Sequence, residues 1–273
     1  MIATALAVEV LACQPQSRRS ESLFRALSTG AAALGLEMRQ TQRYTGDAPW
    51  LMLWGPGAPD RFAPMRKQVE RGGHVLAWDL SYFDRQVKAR VSIDAPHPQA
   101  WVMRKDWPRD RFDREGIQVA DRWNPKGPII VAGIGPKATT QYGDTVVQGW
   151  ERAQIARCQA RWTRPIGYRM KKPGASIPAG TSICSMNPID TIISGASLVI
   201  TWHSNVAIDA IRLGIPVVCR DGAAAAVCPS EVSDVHQPLD PALRARFLAN
   251  LAWFQWAPTE AVAFWQWAME LLQ

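Results

Sequence analysis

Between Ala196 and Cys219 the chain reads ASLVITWHSNVAIDAIRLGIPVVC. The β-rich apolar run Leu198 to Trp202 ends in the polar triplet His203-Ser204-Asn205. Apolar residues then recur at helical spacing from Val206 to Leu213. Gly214 stops that pattern, Pro216 lies just beyond, and Val217-Val218-Cys219 opens another apolar run. The order predicts a strand, a tight turn, a helix and a second strand. In α/β sheets built from such units, ligands sit outside the carboxyl ends of the strands. Unpaired N–H groups at helix N-termini there favour an anion such as a diphosphate. His203, Ser204 and Asn205 fall at that place, and Asp209 follows one helical turn later.

The rest of the chain repeats this alternation. Ala5 to Ala12 reads as a strand, Gln14 to Ser20 as a polar turn, and Leu23, Phe24, Leu27, Ala31 and Leu34 as one face of a helix ended by Gly35. Trp50 to Trp54, a helix over Phe62 to Arg71 and the strand His74 to Trp78 continue the series, with Asp79 at the last strand's end. Lys88 to Ile93 reads as a further strand. Pro125-Lys126-Gly127-Pro128 reads as a linker. A second α/β half follows: strand Ile129 to Ala132, the turn Gly133-Ile134-Gly135-Pro136-Lys137, helix Asp144 to Trp162, strand Pro165 to Arg169, and short helix Ile189 to Ser194. From Asp240 the pattern is helical to Gln273, broken at Pro258 with Thr259 as the new cap. The expected fold is α/β, with two Rossmann-like parallel-sheet domains facing a cleft and C-terminal helices packing back on the N-terminal domain. The boundaries read as 1–125, 126–250 and 251–273.

Composition bounds the function classes. Hydrophobic residues make up 47% and charged residues 20%, enough for a sizeable core. The five cysteines form no CxxC pair and show no zinc spacing with histidine, which suits reduced thiols. No run approaches the ~20 apolar residues of a membrane span. The apolar start lacks a basic n-region and reads better as a strand than as a signal peptide. A cytoplasmic protein is therefore expected. The net charge of +7 is uneven: Arg152 to Lys172 holds seven basic residues and no acidic one. Such a segment suits a polyanion or a phosphorylated ligand, or else is a solvated helix face.

Two α/β halves with a central linker and a helical C-terminus resemble GT-B glycosyltransferases. The second half is similar to their donor-nucleotide domain through the strand-end turn His203-Ser204-Asn205, the acidic Asp209 and the turn Gly214-Ile215-Pro216. The chain also resembles a group of phage-encoded glycosyltransferase-like proteins. That likeness rests on Asp79, Tyr82 and Phe83 (D-x-x-Y-F), Arg90-Val91-Ser92, the segment Tyr168-Arg169-x-Lys171-x-Pro173, the HSN turn and the helix Leu251 to Trp256. The resemblance implies a nucleotide-sugar donor and Asp209 as a ribose-binding carboxylate, where the residues alone also allow a solvent-facing acid.

His203, Ser204 and Asn205 carry groups that hydrogen-bond phosphate oxygens, or cap the helix. Arg169, Lys171, Lys172 and Lys137 lie just past strands and could neutralise a departing diphosphate without a metal, or be surface charge. The turn after Ala132 matches neither GxGxxG nor a P-loop. Asp79 is the first candidate for a general base and His97 the second, with Tyr82 nearby on the acceptor side. Arg18 and Arg19, with Ser17 and Glu21, could touch an acceptor or form a solvated helix entry. The expected activity is a metal-independent glycosyltransferase, with no cofactor beyond the nucleotide-sugar itself. The acceptor is a hydroxyl, for example of a hydroxymethylated pyrimidine in phage DNA, or of a surface glycan. The alternatives are a nucleotide-sugar epimerase, or a GT-B-like nucleotide- or nucleic-acid-binding protein without catalysis.

Overall fold

A computed structural model describes residues 7–11, 17–171, 176–184 and 188–272. In chain order the first elements are β1 (Ala7–Leu11), α1 (Arg18–Ala32), β2 (Glu37–Thr41), β3 (Trp50–Trp54), α2 (Pro59–Glu70), β4 (His74–Leu80), β5 (Ala89–Ile93) and α3 (Asp110–Arg114). Next come β6 (Ile129–Ala132), α4 (Pro136–Tyr142), α5 (Asp144–Arg161), β7 (Ile166–Arg169), β8 (Ser182–Ile183) and α6 (Ile189–Ile193). Last are β9 (Leu198–Thr201), α7 (Val206–Arg212), β10 (Val217–Cys219), α8 (Pro241–Ala252), β11 (Gln255–Trp256) and α9 (Ala261–Leu272). The chain divides into two compact units, Met1–Pro98 with Trp253–Gln273, and Gln99–Ala252. No helix among the described residues is long and apolar enough to cross a membrane.

The first unit holds a six-stranded sheet, β11-β5-β4-β3-β1-β2. β1 to β4 run parallel, whereas β5 runs antiparallel to β4, and β11 antiparallel to β5. The parallel pairing that the sequence predicts holds from β1 to β4 and stops there. Residues 81–88 between β4 and β5 are too few for the crossover of a dozen or more residues that parallel pairing needs, so the chain turns straight back. β2 escapes the sequence pattern because it is an edge strand with polar, largely exposed residues. The β2–β3 connection contains no helix. Instead the Glu9 carboxylate, 1% exposed in β1, holds it down. Glu9 accepts hydrogen bonds from the Thr45 and Gly46 N–H groups at 2.7 and 3.0 Å and from the Thr41 and Thr45 hydroxyls at 2.9 and 3.0 Å. Buried carboxylates need such partners.

The C-terminal segment completes this unit, as the expected packing of the last helices on the N-terminal domain requires. The Trp265 indole N–H donates to the Leu27 carbonyl at 2.8 Å. A Cβ on Gly30 of α1 would stand 2.8 Å from Ala261 of α9, so only glycine permits this approach. The expected continuous helix over Leu251 to Trp256 is corrected: α8 stops at Ala252, and Gln255-Trp256 pairs with Arg90 and Ala89 as a strand. The expected cap at Thr259 is also replaced, since the Glu260 carboxylate accepts the Ala257 N–H at 2.9 Å.

The second unit holds a five-stranded, fully parallel sheet, β10-β9-β6-β7-β8. Ile129, Val131, Tyr168, Leu198 and Ile200 of the strands pack with Ile155 and Cys158 of α5 in one buried cluster. Burial pushes the Cys158 and Cys228 thiols up to about 12. Cys158, Cys184, Cys219 and Cys228 are free thiols. The division falls after Pro98, where the sequence suggests Pro125. Residues 99–124 pack on the second unit: Trp107 N–H reaches Asn250 Oδ1 at 3.0 Å, and Ala120 and Arg122 N–H groups reach the Arg212 and Leu213 carbonyls at 3.1 and 2.8 Å. Proline and glycine in the 125–128 stretch thus mark a turn inside a unit.

Candidate functional site

In the second sheet the chain passes from β6 outward through β7 to β8, then returns to the other side of β6 for β9 and β10. The carboxyl ends of β6 and β9 therefore flank the position where strand order reverses, the usual ligand crevice of such sheets. Ala132 of β6 pairs with Thr201 of β9 and with Arg169 of β7, so three turns leave the sheet side by side. They carry Gly133 to Lys137, Arg169 to Lys171, and Trp202 to Asn205.

The first two turns touch. The Gly133 N–H donates to the Arg169 carbonyl at 2.9 Å. A Cβ on Gly135 would lie 3.2 Å from Lys171 Cγ, so the lysine stem crosses that glycine. A Cβ on Gly133 would meet the Tyr168 hydroxyl at 2.5 Å. That hydroxyl donates to Glu151 at 3.0 Å beneath the turn. Burial raises the Glu151 pKa, opposed by hydrogen bonds from Tyr168 and the Ile134 N–H and by the charge of Arg152. Lys137, expected in a turn, stands exposed in the first turn of α4, because Pro136 starts that helix. Lys172 lies outside the described residues.

In the third turn the Ser204 N–H donates to Thr201 Oγ1 at 3.1 Å, and Ser204 Oγ accepts the Val206 N–H at 3.4 Å. Asn205 is the N-cap of α7, whose first turn carries Asp209. Behind His203 lies a cluster that the sequence pattern does not announce. Asp221, 8% exposed after β10, accepts from the Tyr142 hydroxyl at 2.6 Å and from the Gln99 amide at 2.8 Å. One of its carboxylate oxygens and a ring nitrogen of His203 lie within 4.8 Å of each other. Gly222, at φ +91°, backs onto His203 and leaves no room for a side chain. Burial, and then the Asp221 charge, push the Tyr142 phenol well above its ordinary pKa. Its ring packs at a tilt of 50° against Trp202, with centroids 5.3 Å apart. These partners are separated by 79 and 122 residues in the chain, beyond the reach of spacing arguments.

In the first unit Asp79 lies inside β4, one residue before its end. Its Oδ1 accepts the Leu80 N–H at 2.8 Å, and its Oδ2 faces the buried Arg90 guanidinium at 3.4 Å. Arg90 also donates to the Pro96 carbonyl at 2.9 Å and stands 5.4 Å over the Tyr82 ring. Asp79, Tyr82 and the segment carrying the buried His97 thus meet around one guanidinium. Arg18 is exposed at the start of α1. Arg19 donates to the Arg85 and Lys88 carbonyls and so staples the β4–β5 connection. Ser17 caps α1 by accepting the Ser20 N–H at 3.1 Å.

No protein-family model matches the chain, and no curated protein matches it in sequence. Solved structures do share its fold. One is "Thermosulfurimonas dismutans KpsC, beta Kdo 2,7 transferase", with TM-score 0.53, 12% identity, and coverage of 97% of this chain and 100% of that one. Another is "Thermosulfurimonas dismutans KpsC, beta Kdo 2,4 transferase", with TM-score 0.52, 12% identity and 92% of each chain covered. The chain has the GT-B-like architecture of two Rossmann-type sheets.

Proposed function

We propose that the chain is a glycosyltransferase whose nucleotide-sugar donor binds at the carboxyl edge of the second unit's sheet. The observation that carries this reading is the side-by-side emergence of three turns at the reversal of strand order, two of them bearing Arg169, Lys171, His203 and Ser204 and the first leading into α4 with Lys137. β7, β6 and β9 are adjacent, so Arg169 and Thr201, two residues before His203, stand about two strand spacings, roughly 10 Å, apart across β6. Cations on one side and hydroxyl and imidazole donors on the other suit a diphosphate and the sugar it carries. The cationic side chains would neutralise the leaving diphosphate, which is the basis for expecting transfer without a metal. The fold shared with two proteins named as sugar transferases supports the reading.

In this reading Asp79 is the general base that takes the acceptor proton, with His97 as the alternative. Asp209 serves as the ribose-binding carboxylate. The acceptor is a hydroxyl of a glycan rather than DNA. Within the basic segment Arg157 pairs with Glu231, and Arg161 with Asp234, so two of its charges are already matched. A radiolabelled nucleotide-sugar turnover assay tests the reading. Asp79→Asn is expected to keep donor binding and slow transfer about 10²–10⁴-fold. Wild-type rates in both Asp79→Asn and His97→Ala would remove the first unit from the chemistry. Nucleotide-sugar binding with no turnover in the wild type would point to a binding protein.

A further inference from the structure

The second sheet has another polar concavity at its opposite, amino edge. A pocket of about 170 Å³ lies where the chain enters β6, β7 and β9, and Trp123, Trp162, Arg164, Asp234, His236 and Gln237 are among its walls. It is one four-residue strand, roughly 13 Å, away from the donor edge. Its volume suits a single ring-sized group.

The chemistry of its wall is specific. The Arg164 guanidinium stands 5.3 Å over the Trp162 ring. Among the described residues no carboxylate or carbonyl takes up its N–H groups. A guanidinium held beside an aromatic ring keeps its planar fork of N–H donors for a carboxylate or phosphate. His236 meets the edge of the same Trp162 ring, with centroids 5.9 Å apart. Its Nε2 accepts the Ser233 N–H at 3.0 Å, so the neutral ring carries its proton on Nδ1 as a donor. The one acid in the wall, Asp234, is engaged by Arg161 at 2.6 Å. With Asp234 paired to Arg161, the Arg164 guanidinium is left as the positive charge in the wall of an indole-lined space.

We infer that this pocket binds a ring-sized ligand through an anionic group, a carboxylate or a phosphate, gripped by the edge of Arg164. The ring lies against the tryptophans, and the His236 and Gln237 donors bond its oxygens. The proposal does not depend on the donor site, since the two lie at opposite edges of the sheet.

Titration calorimetry of the whole chain with glucuronate, glucose 6-phosphate and uncharged glucose tests it. At least one of the two anions should bind, and the stronger of them names the anionic group. Glucose should bind at least about tenfold more weakly, and Arg164→Gln should weaken the anion by about tenfold or more. Arg169→Ala should leave this binding unchanged, which separates it from the donor reading. Should Arg164→Gln fail to fold, indole ¹⁵N resonances of the wild type decide the question. Anion-dependent shifts at Trp123 or Trp162 support the pocket. Equal binding of all three sugars, no binding of either anion, unchanged affinity in a folded Arg164→Gln, or shifts confined to other tryptophans would overturn it.

Discussion

Glu151 shows how a single buried group can be both support and liability. It holds Tyr168 and the Ile134 N–H beneath the turn after β6, and burial raises its pKa above the ordinary 4.5. From pH 4.5 up to that raised value the folded state keeps a proton that the unfolded chain has lost. Stability therefore falls as pH rises through this window, and above it the buried charge remains a cost. Glu151→Gln should raise Tm at neutral pH, with a gain that shrinks to nothing as pH drops toward 4 to 5 (approximately). Thermal unfolding across about pH 4 to 8 checks this, and a pH-independent difference would contradict it. The sequence offers only a helical Glu here, because its partners lie on another strand and in another turn. The HSN turn is legible for the opposite reason: His203, Ser204 and Asn205 are contiguous and sit at a strand end. Asp221 and Tyr142, which back that turn, are brought together only by the fold.

At the scale of elements, the local pattern was enough for α1 and α5, whose buried positions recur along the helix, and for β4, β6 and β9, which are continuous apolar runs buried on both faces. It failed where neighbours override the local pattern. β2 is polar because it is an edge, and Gln255-Trp256 is a strand because β5 offers it a partner. The fully buried Gln255 repays that change of conformation. Its Oε1 accepts the N–H groups of Tyr82 and Phe83, both at 2.7 Å, and so fixes the loop after β4. Gln255→Ala should leave both donors buried and unsatisfied and cost about 2–4 kcal/mol. Urea unfolding measures the loss, and hydrogen exchange at Tyr82 and Phe83 should accelerate. A variant as stable as wild type, with both amides still protected, would show that another element holds the loop.

At the scale of the whole chain, the two α/β series and the return of the C-terminal segment to the first unit were legible, whereas the point of division was not. Proline and glycine near 125 suggest a linker, but contacts such as Arg122 N–H to the Leu213 carbonyl bind that stretch into the second unit. The +7 net charge is likewise a poor guide by itself, because Glu231 and Asp234 return to the basic helix α5 and pair with it. The duplex-DNA expectation therefore has a direct check. Binding to a DNA fragment should be weak and should vanish with modest added salt, with a slope reflecting few phosphate contacts. Tight binding that survives physiological salt would restore DNA as an acceptor.

The proposed function stands or falls with nucleotide-sugar binding at the carboxyl edge of β7, β6 and β9. The most direct measurement is titration calorimetry of a nucleotide-sugar panel against the wild type and Arg169→Ala. At least one nucleotide-sugar should bind the wild type. Arg169→Ala should weaken that binding by about 1.5–3 kcal/mol, the range for a hydrogen bond to a charged group. Equal affinity in the two proteins, or no binding of any nucleotide-sugar to the folded wild type, would contradict it.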